Sequence, residues 1–132
     1  NNGINPIFLS VPDDYYSIVD ESWFKTNIFN NYKPFLFNKG LNKRYVVDKN
    51  DCDDFSKAFS FYCRTKMVDY PQYSYNIPVA DMYYIVDKNG RHAINLVVVC
   101  DEKKKLKLLF IEPQDPKFVS FTNQLSIYLL NF

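Results

Sequence analysis

Cys52, His92 and Glu112 give this chain a thiol, its only imidazole and a carboxylate, the parts from which a nucleophilic centre can be built. A carboxylate that accepts from one imidazole nitrogen fixes the tautomer and leaves the other nitrogen as a base. A thiol beside that base, at a helix N-terminus, gains thiolate character and becomes a nucleophile. The roles that follow are Cys52 as nucleophile, His92 as general base and Glu112 as the orienting group. Each residue also has an ordinary structural reading: a cysteine in a capped helix start, a hydrogen-bonded histidine, an exposed glutamate closing a strand. Their order, on a helix start, a strand start and the end of the next strand, favours the chemical reading. Asp51, Asp53 and Asp54 crowd Cys52 and oppose its ionisation by like-charge repulsion. Either these carboxylates turn to solvent and the helix backbone, or a hard cation such as calcium answers them.

The elements that must bring these groups together are legible in pattern. Asp51 to Met67 predicts the clearest helix, with Asp51 as cap, Asp53 and Asp54 in the first turn, and no Gly or Pro within. Phe55, Phe59, Tyr62 and Cys63 form one stripe, and Cys52 is in phase with it, so the thiol points toward whatever packs on that helix. Met82 to Val86, the turn Lys88, Asn89, Gly90, and His92 to Cys100 predict a hairpin. A polar tip, Asp101 to Lys104, leads into a strand from Lys105 to Glu112, stopped by Pro113. With a turn centred near Glu102, His92 falls directly opposite Glu112, where Cβ atoms stand roughly 4.5 to 5.5 Å apart. Upstream, Asp20 to Asn30 predicts a short amphipathic helix capped by Ser22, and Pro34 to Phe37 a short strand. Asp69 to Pro78 is a Tyr-rich loop, and Phe118 to Phe132 offers a strand or short helix.

With 132 residues, the chain predicts one domain over residues 1–132, its first fourteen residues or so a loose lead-in. Asn1 is not a start methionine, which marks the chain as processed or cut from something longer. A net charge of +1 gives no global field for nucleic acid or an anionic membrane, and the cluster Lys103 to Lys105 with Lys107 reads as a solvated hairpin tip. No window holds the roughly 20 apolar residues of a membrane helix, and no signal-peptide pattern opens the chain. The bias toward Asn, Lys, Ile, Phe and Tyr points to an A/T-rich coding sequence, as in a phage or a low-GC bacterium. Three cysteines leave at least one thiol free. Cys52 and Cys63 would stand about 16 Å apart along one helix axis, beyond the roughly 7 Å a disulfide allows between Cα atoms. Cys63 and Cys100 lie in apolar runs and read as core.

Three blocks carry a resemblance: Asp51, Cys52, Asp53, Asp54, Phe55, Ser56; then Gly90, Arg91, His92, Ala93, Ile94, Asn95; then Phe110, Ile111, Glu112, Pro113, Gln114. Together they resemble the papain-like domain at the C-terminus of a chimeric mushroom agglutinin and its small phage and bacterial relatives. The resemblance implies an α+β, papain-like (cysteine proteinase) fold, with N-terminal helices and a central nucleophile helix packed on an antiparallel sheet. It implies a hydrolase, a calcium-activated thiol protease with a Cys52, His92, Glu112 triad acting on a peptide or protein substrate. It makes Asp53 and Asp54 candidate calcium ligands, and Gln114 structural or substrate-facing; the thiol chemistry itself needs no cofactor. A transglutaminase-like acyl transferase would use the same constellation, and a non-catalytic phage structural or host-interaction module could keep the fold for binding. One departure stands out: no Gln lies a few residues upstream of Cys52 to serve as an oxyanion donor.

Overall fold

The computed structural model describes residues 8–41, 51–88, 90–121 and 126–132. A strand, β1 (Phe8–Ser10), is followed by α1 (Glu21–Asn27), a single 3-10 turn (Phe29–Asn31) and α2 (Tyr32–Asn38). Then come α3 (Cys52–Met67) and the strands β2 (Val79–Asp87), β3 (Gly90–Cys100), β4 (Leu106–Glu112), β5 (Lys117–Val119) and β6 (Ile127–Asn131). The six strands form one sheet in the order β1-β6-β2-β3-β4-β5. Every neighbouring pair is antiparallel except β1 and β6, which run parallel, so the sheet is mixed where an antiparallel one was expected. Phe8–Ser10 is thereby an edge strand, not part of a loose lead-in.

The pleat of β3 divides the interior. Val97 and Val99 face the helices and join Phe24, Ile28, Tyr32, Leu36, Phe55, Phe59, Tyr62 and Cys63 in the larger core. Ile94 and Leu96 face the other way, with Ala80, Met82 and Ile127, against Tyr84, Phe110, Phe121 and Phe132. Two buried layers therefore share one sheet. Ring contacts tie the helical side together: Tyr32 meets Phe59 edge-on at 4.8 Å and Tyr62 at 5.2 Å.

Tyr62 also donates its buried hydroxyl to the Ile28 carbonyl at 2.6 Å, where α1 ends. This bond joins α3 to the α1 terminus, whose last carbonyls have no helical partner. Tyr62→Phe leaves that carbonyl only the longer bond from the Asn31 N–H at 3.3 Å and should cost about 0.5–1.5 kcal/mol in urea unfolding. No change in stability would mean that the contact is not made.

Two local expectations change. Asp20, not Ser22, occupies the cap position of α1. Pro34 to Phe37 is helical rather than extended, because Pro34 falls in the first turn of α2, where its missing N–H has no intrahelical acceptor to forfeit. Among the described residues no helix is long and apolar enough to cross a membrane.

Candidate functional site: a thiol beside a histidine–glutamate pair

Asp51 caps α3 in a reciprocal box: its side chain takes the Asp54 N–H, while Asp54 Oδ2 accepts the Asp51 N–H at 3.2 Å. Cys52 is the first helical residue and is half-buried. Its Sγ is served by the backbone N–H groups of Ala93 and Asp53. Burial pushes the thiol pKa up, the Ala93 N–H pulls it back, and the charges of Asp51 and Asp53 raise it again; the net shift is upward. Standing alone, this thiol is a poor nucleophile at neutral pH.

Across the sheet, His92 Nε2 and Glu112 Oε2 are 2.8 Å apart. They do not face each other directly. Asn95 pairs with Ile111 and Leu96 with Phe110, so the residue opposite Glu112 is Ile94 and the His92 contact is diagonal. The cause is the tip: Asp101 Oδ1 accepts the N–H groups of Lys103 and Lys105, and Lys104 takes a left-handed φ of 62°, moving the centre of the turn one residue beyond Glu102. Burial pushes Glu112 up, but the His92 hydrogen bond and the Gln114 N–H, 3.0 Å from Oε1, outweigh it, and the carboxyl lies below its ordinary 4.5. Gln114 thus serves the site through its backbone.

A depressed carboxyl stabilises the fold fully above its ordinary pKa and loses that contribution as pH falls through the lower, folded value. The stability gap between the protein and Glu112→Gln should therefore close as the solution is made more acid than pH 5. A gap that widens between pH 5 and pH 3, read by urea titrations, would contradict the paired carboxylate.

Pleat parity sets His92 with Ile94 and Leu96, and Glu112 with Phe110, on the face away from α3. Cys52 reaches the strand at Ala93, one residue from His92. Among the described residues no hydrogen bond joins Cys52 Sγ to the imidazole, so the structure brings His92 and Glu112 together and leaves the thiol next to them. Catalytic hydrogen bonds are often long or misaligned before a ligand arrives. Tyr84 stands edge-on to His92 at 5.7 Å and to Phe121 at 4.9 Å, walling the imidazole on one side.

Behind Cys52 lies a polar cluster that the sequence reading missed. Ser56 and Ser60 donate to Asp81 Oδ1 at 3.0 and 2.6 Å, and Asn95 Nδ2 lies 3.2 Å from the same oxygen. Asn95 also donates to the Ser56 carbonyl at 3.0 Å, so α3 is pinned to β2 and β3 one turn after the thiol. The signal was available: Cys52, Ser56 and Ser60 recur at the helical repeat on the buried stripe, and Asn95 interrupts the apolar run from Ala93 to Val99.

Asp51, Asp53 and Asp54 place carboxylate oxygens within 4.8 Å of one another, a donor set that fits a hard cation. All three have other work as well: Asp51 and Asp54 in the reciprocal cap, and Asp53 with Lys57 at 3.5 Å. Free thiols at Cys63 and Cys100 are buried, as their apolar runs imply.

No family model and no curated protein matches the sequence. Among solved structures, one similar in fold is the Polyporus squamosus lectin bound to the human-type influenza-binding epitope Neu5Aca2-6Galb1-4GlcNAc. It is 17% identical with a TM-score of 0.66, over 96% of this chain and 42% of the lectin chain. Another is the PSL1a-E64 complex, 16% identical with a TM-score of 0.67, over 100% of this chain and 45% of that one. The chain spans less than half the length of either. These matches correct the papain-like expectation: the fold of this chain, a mixed six-stranded sheet under helices, is shared with part of a chain named as a lectin and with part of the PSL1a chain. The hydrolase and thiol-protease reading and its peptide or protein substrate are withdrawn with it, and the acyl-transferase and phage-module alternatives find no support. Three short blocks had described the surroundings of a thiol, a histidine and a glutamate, which constrain a site more than the activity built on it. At 16–17% identity, what this chain shares with the matched parts of these two chains is fold alone.

Proposed function

We propose that the functional centre of this chain is the Cys52 thiol, served by His92 and Glu112, and that it captures electrophilic small molecules as covalent adducts. The observation that carries this reading is the 2.8 Å bond between His92 Nε2 and Glu112 Oε2. Glu112 then holds the proton on Nε2 and leaves Nδ1 as the basic nitrogen. His92 takes the Cys52 proton, and Sγ bonds to the electrophilic carbon as that carbon's bond to its leaving group breaks. With an epoxide, the imidazolium returns the proton to the ring-opened oxygen; with iodoacetamide, iodide departs and the proton passes to solvent. Because PSL1a is complexed with E64, that compound is the natural first probe here.

A divalent cation among Asp51, Asp53 and Asp54 would supply positive charge beside the thiol. Since Asp51 and Asp53 raise the Cys52 pKa, neutralising them lowers it and increases the thiolate fraction at neutral pH. Treatment with E64 and iodoacetamide, followed by peptide mapping, should place the label on Cys52 and spare buried Cys63 and Cys100. Calcium should accelerate labelling, and Asp53→Asn with Asp54→Asn should abolish that acceleration. Equal, slow labelling of all three cysteines would overturn the reading; labelling confined to Cys52 but indifferent to calcium would overturn only the cation.

A further inference from the structure

A second site lies away from the thiol, where residues 13–17 meet the loop after α3. The Ser17 N–H donates to the Asn76 carbonyl at 2.9 Å and the Tyr75 N–H to Ser17 Oγ at 3.2 Å, so the two segments are stitched side by side. Between them runs an open groove of about 530 Å³, within the ~300–1,000 Å³ usual for small-molecule sites. Asp13, Asp14, Tyr15, Tyr73 and Tyr75 line it.

Its two outer rings are unusually bare for their size: Tyr15 is 66% and Tyr75 49% exposed. They lean on each other with centroids 5.4 Å apart and planes 31° from parallel, which leaves their outer faces to solvent. Tyr73 is held from behind, edge-on to Trp23 at 4.9 Å, so the groove wall is anchored in the helical core. Among the described residues no Lys, Arg or His lines the groove. Among the described residues neither Asp13 nor Asp14 forms an ion pair.

Tyrosine faces and uncompensated carboxylates select one chemistry. An anion would be repelled. A neutral sugar could stack on the rings but would leave both carboxylate charges unanswered. A small inorganic cation is held too tightly by its own water to gain from a ring face. We propose that this groove binds an organic cation, a methylated ammonium or a guanidinium group, resting on Tyr15 and Tyr75 with Asp13 and Asp14 supplying the countercharge.

Calorimetric titration with choline, with its neutral isostere 3,3-dimethylbutan-1-ol, with Nα-acetylarginine amide and with methyl β-galactoside separates these ligands. At least one of the two cations should bind, with the neutral isostere about tenfold weaker or worse. Binding by choline alone would assign an ammonium site, and by the arginine amide alone a guanidinium site. Tyr75→Ala and the pair Asp13→Asn with Asp14→Asn should each weaken the cation about fivefold or more. All of these positions are exposed, so circular dichroism of the variants should match that of the parent. Equal affinity for choline and its isostere, binding of the galactoside alone, binding of nothing, or variants that bind the cation unchanged would each overturn the proposal.

Discussion

His92→Ala should slow alkylation of Cys52 at pH 7 by about 10²-fold, the scale of a positioned general base. The size follows from the thiol's own surroundings. Burial and the Asp51 and Asp53 charges raise the Cys52 pKa, against the opposing Ala93 N–H, so without the imidazole little thiolate forms at neutral pH. Removing the base exposes that handicap in full. In the variant the rate should rise steadily with pH through the alkaline range, and at high pH it should approach that of the parent, because hydroxide then does the work of the histidine. Glu112→Gln should fall between the two: it keeps a hydrogen-bonding group near Nε2 and removes the charge that stabilises an imidazolium. An unchanged rate in His92→Ala would separate the thiol from the pair.

Phe59→Ala should cost about 3–5 kcal/mol, a large part of the roughly 5–15 kcal/mol by which a domain is stable. Phe59 is fully buried midway along α3, edge-on to Tyr32 and in the layer that holds the helix to Val97 and Val99. Truncation leaves a cavity on the face that fixes the helix's height above β3. Because Cys52 begins the same helix, the parent's preference for labelling Cys52 over Cys63 should also narrow as Cys63, on the same stripe, opens to reagent. Urea unfolding checks the first effect and peptide mapping the second. A loss under 1 kcal/mol would mean that α3 does not pack through this residue.

What the sequence could and could not convey follows from how local each cause is. The helix α3 was legible to within a residue, because its cap, its acidic first turn and its apolar stripe all lie within it. The hairpin between β2 and β3 was legible from alternation on both sides of Lys88, Asn89 and Gly90; Asn89 itself lies outside the described residues. The next turn was not, since a side chain set its geometry: Asp101 gathers two backbone N–H groups and moves the register, so the His92–Glu112 contact is diagonal. Phe8–Ser10 gave no local sign of being a strand, because its partner, β6, lies at the far end of the chain. The candidate site was read as three residues. Its supports, Asp81 and Asn95, were passed over because a polar residue inside a strand shows its purpose only once the opposing helix is in place.

The function read from three motif blocks did not survive comparison of the whole chain, whereas Cys52, His92 and Glu112 from those blocks carry the proposed centre. Their coupling is the central claim, and the pH dependence of Cys52 alkylation tests it most directly. Rates measured from pH 5 to pH 9 on the protein and on His92→Ala should differ in shape: the parent should show a shoulder of reactivity below pH 7 that the variant lacks. Superimposable curves, each rising only as an isolated buried thiol ionises, would show that Cys52 and His92 are neighbours without a shared function.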